Sequence, residues 1–182
     1  MGSKVKAPLR DPRREVFGML ISTATVHRSS RDRIRRDRFV DLAPVYTDPG
    51  KLQQVAEELA RMVRGADQLA SIGLGSLTFL TATSLQSRLP MLVLGATHEP
   101  PGTEGPSIGT VTPGKRVAII HDVTNTGETI ARLVSFLRAS GGTVETAFVV
   151  VDREAGARLR LSKLSVSLTA IATLSDLVAA RR

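Results

Sequence analysis

No cysteine and no tryptophan occur in these 182 residues, and the aromatic side chains are five Phe and one Tyr. Without cysteine there is no disulfide framework, no thiolate zinc site and no cysteine nucleophile. So few rings argue against a surface that stacks successive nucleic-acid bases. No stretch approaches the roughly 18 unbroken apolar residues of a membrane span. The first thirty residues lack the apolar core of an export signal. A nucleotide Walker loop is excluded because no Lys follows the glycine of the one Thr/Gly turn, and the dinucleotide pattern G-x-G-x-x-G is missing. The expectation is a soluble, cytoplasmic chain with no membrane partner, of a length that suits one domain with a sizeable core.

What is present in excess is positive charge, and it is concentrated. The net charge is +8, with 25 Lys and Arg against 17 Asp and Glu. Residues 1–38 carry 11 basic side chains and 4 acidic ones, whereas the remaining chain is nearly balanced. Six of the basic residues, Arg28, Arg31, Arg33, Arg35, Arg36 and Arg38, crowd into one short run. The chain therefore divides into a basic N-terminal arm or hood segment, 1–38, and a near-neutral domain, 39–182. Any polyanion, nucleic acid included, would meet the head first.

Periodicity supplies the elements. Pro8 and Pro12 among charges suggest a flexible arm, 13–26 a short helix or turn, and 28–38 a solvated or anion-binding loop. Phe39 to Leu42 reads as a short strand. Asp48-Pro49 is an N-cap acid followed by Pro at the first helical position, and Leu52, Val55, Ala56, Leu59, Met62 and Val63 recur at helical spacing until Gly65. Strands are expected at 69–74, 91–94, 116–121 and 145–151, with helices at 77–87 and 130–140. Residues 97–113 hold four Pro and three Gly and read as a long mobile loop, of a length that is usually functional. Strands and helices in alternation indicate an α/β fold with a mainly parallel central sheet flanked by helices.

The most informative stretch is Val117 to Ile130. A buried strand delivers His121 and Asp122 at its end, and Thr124-Asn125-Thr126-Gly127-Glu128-Thr129 then turns into a helix. Ligands of open α/β sheets bind beyond the carboxyl ends of the strands. Free N–H groups at a helix N-terminus favour a phosphate, threonine hydroxyls add donors, and Gly127 permits close approach. Asp122 is placed to accept from sugar hydroxyls. Thr and Gly are also ordinary turn residues, so an N-capped helix with no ligand fits the same pattern.

This segment resembles the phosphoribosyl-diphosphate (PRPP) signature of type I phosphoribosyltransferases. Phe39 to Leu42 with Thr47-Asp48-Pro49, the run Val149-Val150-Val151-Asp152-Arg153-Glu154 and the ending Ala172 to Leu177 are similar to orotate phosphoribosyltransferases, in order, over most of residues 39–182. The resemblance implies the type I fold with a small hood, and transfer of phosphoribose from Mg²⁺-bound PRPP to a nitrogen base with release of diphosphate. It implies that Thr124, Asn125, Thr126, Gly127, Glu128 and Thr129 hold the 5′-phosphate, and that His121 and Asp122 serve the ribose and the substrate-borne Mg²⁺. The turn Gly73-Leu74-Gly75-Ser76 faces the diphosphate, Arg153 and Phe39 face the base, and 97–113 closes as a lid. It further implies a homodimer and no direct protein ligand to a metal.

Three departures from that pattern bear on chemistry. His121 stands where the signature has the first of two acids. No Lys or Arg lies between Arg88 and Lys115, so the lid's only candidate for positive charge is His98, which with Asp122 forms the candidate catalytic pair. Leu77 lies near the place of the family's diphosphate-side lysine. The arginines of 28–38 are the candidate replacements, since guanidinium forks bind diphosphate well. The alternative expectation is a catalytically impaired PRPP- or nucleotide-binding regulator, contacting nucleic acid through the same basic segment.

Overall fold

The computed structural model describes residues 11–28, 38–95 and 107–180. In chain order the elements are α1 (Pro12–Thr23), β1 (Thr25–Arg28), β2 (Arg38–Asp41), α2 (Ala43–Tyr46), α3 (Pro49–Met62), β3 (Gln68–Ile72), α4 (Leu74–Ser87), β4 (Met91–Leu94), β5 (Arg116–Thr124), α5 (Glu128–Ala139), β6 (Thr143–Asp152), α6 (Ala157–Ser162), β7 (Ser167–Thr173) and α7 (Leu174–Ala179). β3 to β7 form one sheet in the order β4-β3-β5-β6-β7, and all four pairings are parallel. β1 and β2 pair antiparallel as a separate two-stranded ribbon, Val26 opposite Val40.

A parallel sheet covered on both faces needs strands with continuous apolar runs, and β5 at 117–120 and β6 at 147–151 meet that need. Along β5 the side chains alternate between two cores: Ala118 and Ile120 join one cluster with Leu59, Phe79 and Leu80, while Val117 and Ile119 join another with Leu133, Leu137 and Leu161. The first face is covered by α3 and α4, together with Val16 and Leu20 of α1, and the second by α5 and α6. The N-terminal helix is thus part of the main core.

The Asp48-Pro49 start holds as read: Asp48 accepts from Gly50 N–H at 3.0 Å and Lys51 N–H at 3.1 Å. Among the differences from the sequence reading, three bear on the site. β5 continues three residues past His121, because Val149 to Asp152 of β6 give it a ladder to pair with. α4 begins at Leu74 rather than Leu77, so Leu74, Gly75 and Ser76 are its first turn and not a free loop. The last part of the 97–113 segment is seated, not mobile. Ile108 bridges Val93 through two backbone hydrogen bonds, and buried Gln68 clamps it by donating to Thr110 O (2.7 Å) and accepting from Thr112 N–H (3.2 Å). A buried amide must find partners, and this segment provides them. His98 and Arg31, Arg33, Arg35 and Arg36 lie outside the described residues.

Candidate active site

The strand order reverses between β3 and β5: β3-α4-β4 runs outward one way, and β5 returns to the other side of β3. The crevice beyond the carboxyl ends of those two strands is where an α/β sheet binds its ligand. Both helices that open there, α4 and α5, begin at a glycine with positive φ (Gly73, +83°; Gly127, +74°) and have no side-chain N-cap. Three others, α1, α3 and α7, are capped by Asp11, Asp48 and Thr173. Uncapped N-termini leave backbone N–H groups for an anion.

Side chains from three elements, α2, α4 and β5, meet at Asp122. Its Oδ1 accepts from Ser76 Oγ at 3.0 Å and lies 2.6 Å from His121 Nδ1, and its Oδ2 accepts from Tyr46 O–H at 3.2 Å. Ser76 Oγ also lies 2.9 Å from His121 Nδ1 and accepts from Asp122 N–H at 3.3 Å. A carboxylate oxygen only accepts, so a 2.6 Å contact requires a proton on Nδ1. Burial alone would push the Asp122 carboxyl up. The hydrogen bond and charge of His121, with the bonds from Val123 N–H and Ser76, outweigh burial and bring it down to about 2. Burial and the adjacent Asp122 charge push the Tyr46 phenol up, so it remains a donor.

Tyr46 is the member of this cluster that the sequence reading missed. It is the only tyrosine in the chain and directly precedes Thr47-Asp48-Pro49, which was the available signal. Its ring packs on Phe79 with centroids 5.0 Å apart, which holds the hydroxyl over Asp122.

The approach of α4 to β5 is close enough to require glycine. A Cβ on Gly75 would sit 2.5 Å from Asp122 Oδ2. Gly75→Ala therefore drives the carboxylate off Tyr46. An expected fall in kcat/KM of about tenfold to a hundredfold, with little loss of fold, follows from a displacement of that size; steady-state kinetics beside a thermal melt checks it.

The Thr124 to Thr129 turn carries on from β5. Thr124 is buried, and its carbonyl accepts from Arg153 N–H at 2.9 Å, which sets half-buried Arg153 beside the turn. Of the acids flanking Arg153, buried Asp152 pairs with Arg158 at 2.9 Å, and Glu154 accepts from Ser175 N–H at 2.9 Å. Phe39 is 59% exposed on β2, cross-strand from His27 and next in the chain to buried Val40, and is not brought into the Asp122 cluster. Two solvent-open cavities, about 220 and 560 Å³, lie at the other end of the sheet around Val63 to Ala66, and no residue of the crevice lines them. Among the described residues no group of three or more His, Asp and Glu converges as a metal site.

No protein-family model matches the chain. It is 35% identical over 140 residues to orotate phosphoribosyltransferase of Methanothermobacter thermautotrophicus, covering 77% of this chain and 78% of that one. Among solved structures, orotate phosphoribosyltransferase from Aeropyrum pernix superposes with a TM-score of 0.74 at 26% identity, over 90% of this chain and 96% of that one. Leishmania donovani UMP synthase gives 0.75 at 26% identity, over 91% of this chain, which spans 37% of that longer protein. A parallel sheet with its anion-ready turn at the switch point, and relatives of that identity over most of the length, place the chain in the orotate phosphoribosyltransferase family.

Proposed function

We propose that the protein transfers the 5-phosphoribosyl group from PRPP to orotate, releasing diphosphate. The observation that carries this is the convergence of two uncapped helix N-termini on either side of the Asp122 cluster, at the sheet's switch point. One cradle suits the 5′-phosphate and the other the diphosphate, with a hydroxyl acceptor between them.

In this reading Thr124, Asn125, Thr126, Gly127, Glu128 and Thr129 hold the 5′-phosphate, and Asp122 accepts from the ribose hydroxyls. Gly73 turns the chain into α4, its own N–H donating to Leu94 O at 3.2 Å, and Leu74, Gly75 and Ser76 face the diphosphate through backbone N–H groups, since the Ser76 hydroxyl is spent on Asp122. His121 orients Asp122 through Nδ1 and leaves Nε2 for the ribose. Arg153 takes the base from beside the turn, Phe39 borders it from the hood, and His98 is assigned to the leaving group by resemblance.

The residues fit Mg²⁺ carried by PRPP. Asp122 already accepts three protein hydrogen bonds, so the remaining ligands would be substrate oxygens and water, as Mg²⁺ prefers. When bound, the ion neutralises charge developing on the diphosphate. Bond breaking at ribose C1 builds oxocarbenium character, so the protein's share is orientation and water exclusion. Homodimerisation belongs to the same reading, on resemblance alone, and sedimentation measures it.

The direct test is Mg²⁺-dependent pyrophosphorolysis of orotidine monophosphate. Formation of PRPP and orotate is expected. A folded protein that turns over neither this nucleotide nor orotate in the forward direction would defeat the proposal.

A further inference from the structure

We propose that Arg160 is a positioning residue for the phosphate turn, fixing the direction of the Gly127 N–H. This deepens the reading above and rests on it, because it takes 124–129 to be the 5′-phosphate cradle.

The turn is braced from α6. Arg160 Nε donates to the Thr126 carbonyl at 2.8 Å, across 34 residues of chain. Gly127 lies so near the same helix that a Cβ there would stand 3.0 Å from Ala157 Cα and 3.3 Å from its carbonyl oxygen. In a trans peptide the C=O of one residue and the N–H of the next point in opposite directions. Holding the Thr126 carbonyl toward α6 therefore turns the Gly127 N–H away from α6, to the side left open at the α5 N-terminus. Arg153 N–H acts in the same way on the Thr124 carbonyl, and so on the Asn125 N–H.

A brace must itself be fixed, and α6 is. Ala157 and Leu161 are buried in the core under β6 and β7. Arg158 pairs with the buried Asp152 carboxylate at 2.9 Å and donates to Leu168 O at 2.9 Å. Arg160 thus transmits a rigid position to a turn that has no side-chain cap of its own. A single oriented hydrogen bond suffices, because each cradle N–H must aim at one phosphate oxygen.

The test separates orientation from charge. Arg160→Ala is expected to raise KM for PRPP about tenfold, the usual weight of one oriented hydrogen bond. KM for orotate and Tm should stay unchanged, because the side chain is exposed. Arg160→Gln removes the charge but sets an amide N–H where Nε stands, and should restore KM to within about twofold of wild type. Calorimetry with ribose 5-phosphate should follow the same order. Unchanged KM and ribose 5-phosphate affinity in Arg160→Ala would overturn the proposal, and so would Arg160→Gln as impaired as Arg160→Ala. Gly127→Val in the same calorimetry tells the two readings apart. If it weakens ribose 5-phosphate while Arg160→Ala does not, only the role of Arg160 fails. If it has no effect where wild type binds, the turn is not the phosphate cradle and both readings fall.

Discussion

Asp122→Asn is expected to lower kcat/KM for orotidine monophosphate pyrophosphorolysis by about a hundredfold to a thousandfold, the usual range for removing a group that acts on transition-state charge. The carboxylate holds three donors in place, from Ser76, His121 and Tyr46. Asparagine keeps one acceptor oxygen for Ser76 and His121, and the Tyr46 hydroxyl can turn to accept from its amide nitrogen, so the fold survives while the charge goes. The melting temperature should therefore stay close to wild type as the rate collapses. A variant with more than a third of wild-type kcat/KM would show that Asp122 does not touch the reaction. The carboxyl lies at about 2 in the folded protein, below its ordinary value. A depressed value means that the stabilisation it brings is fully present above pH about 3.9 and is lost only as pH falls through about 2. An acid limb in the rate profile above pH 4 must then belong to another group.

Gly127→Val should damage both binding and stability. The residue sits at φ +74°, where a side chain costs about 1–2 kcal/mol, and a branched one more. Its Cβ would press on the Ala157 backbone at 3.0 Å, and backbone anchored by the Arg158–Asp152 pair does not yield readily. A loss of about 2–3 kcal/mol corresponds to a Tm lower by about 5–10 °C in a domain of this size. The peptide that leads into α5 would turn with it, and a misplacement of about 1 Å at an anion cradle is expected to raise KM for PRPP about a hundredfold. Scanning calorimetry and initial rates measure the two effects separately. Wild-type KM beside a lowered Tm would leave Gly127 a structural glycine only.

The readable parts of the sequence were those whose physics is local. Asp48-Pro49 predicts its helix because a cap and a fixed φ act within one turn. The apolar run Val117 to Ile120 predicts a buried strand because burial on both faces leaves no room for alternation. The Thr124 to Thr129 turn was legible as a glycine-led helix start for the same reason, since its threonines and its glycine are neighbours in the chain. The α4 start was misread by three residues because a left-handed Gly73 launches the helix, and strand Gly-x-Gly patterns look alike whether they lead to a loop or a helix.

The sequence by itself determined the fold class, the place of the Thr124 to Thr129 turn and the asymmetry of charge, because each is carried by periodicity, spacing or composition. Only the tertiary structure decided what Asp122 touches. Tyr46 and Ser76 lie 76 and 46 residues away, and nothing local says that their hydroxyls reach one carboxylate. It also decided that Gly75 must be glycine, since the steric demand comes from another strand's side chain. The brace from Arg160 belongs to the same class: loop closure over 34 residues is set by how α6 packs, and packing is not written in neighbouring residues.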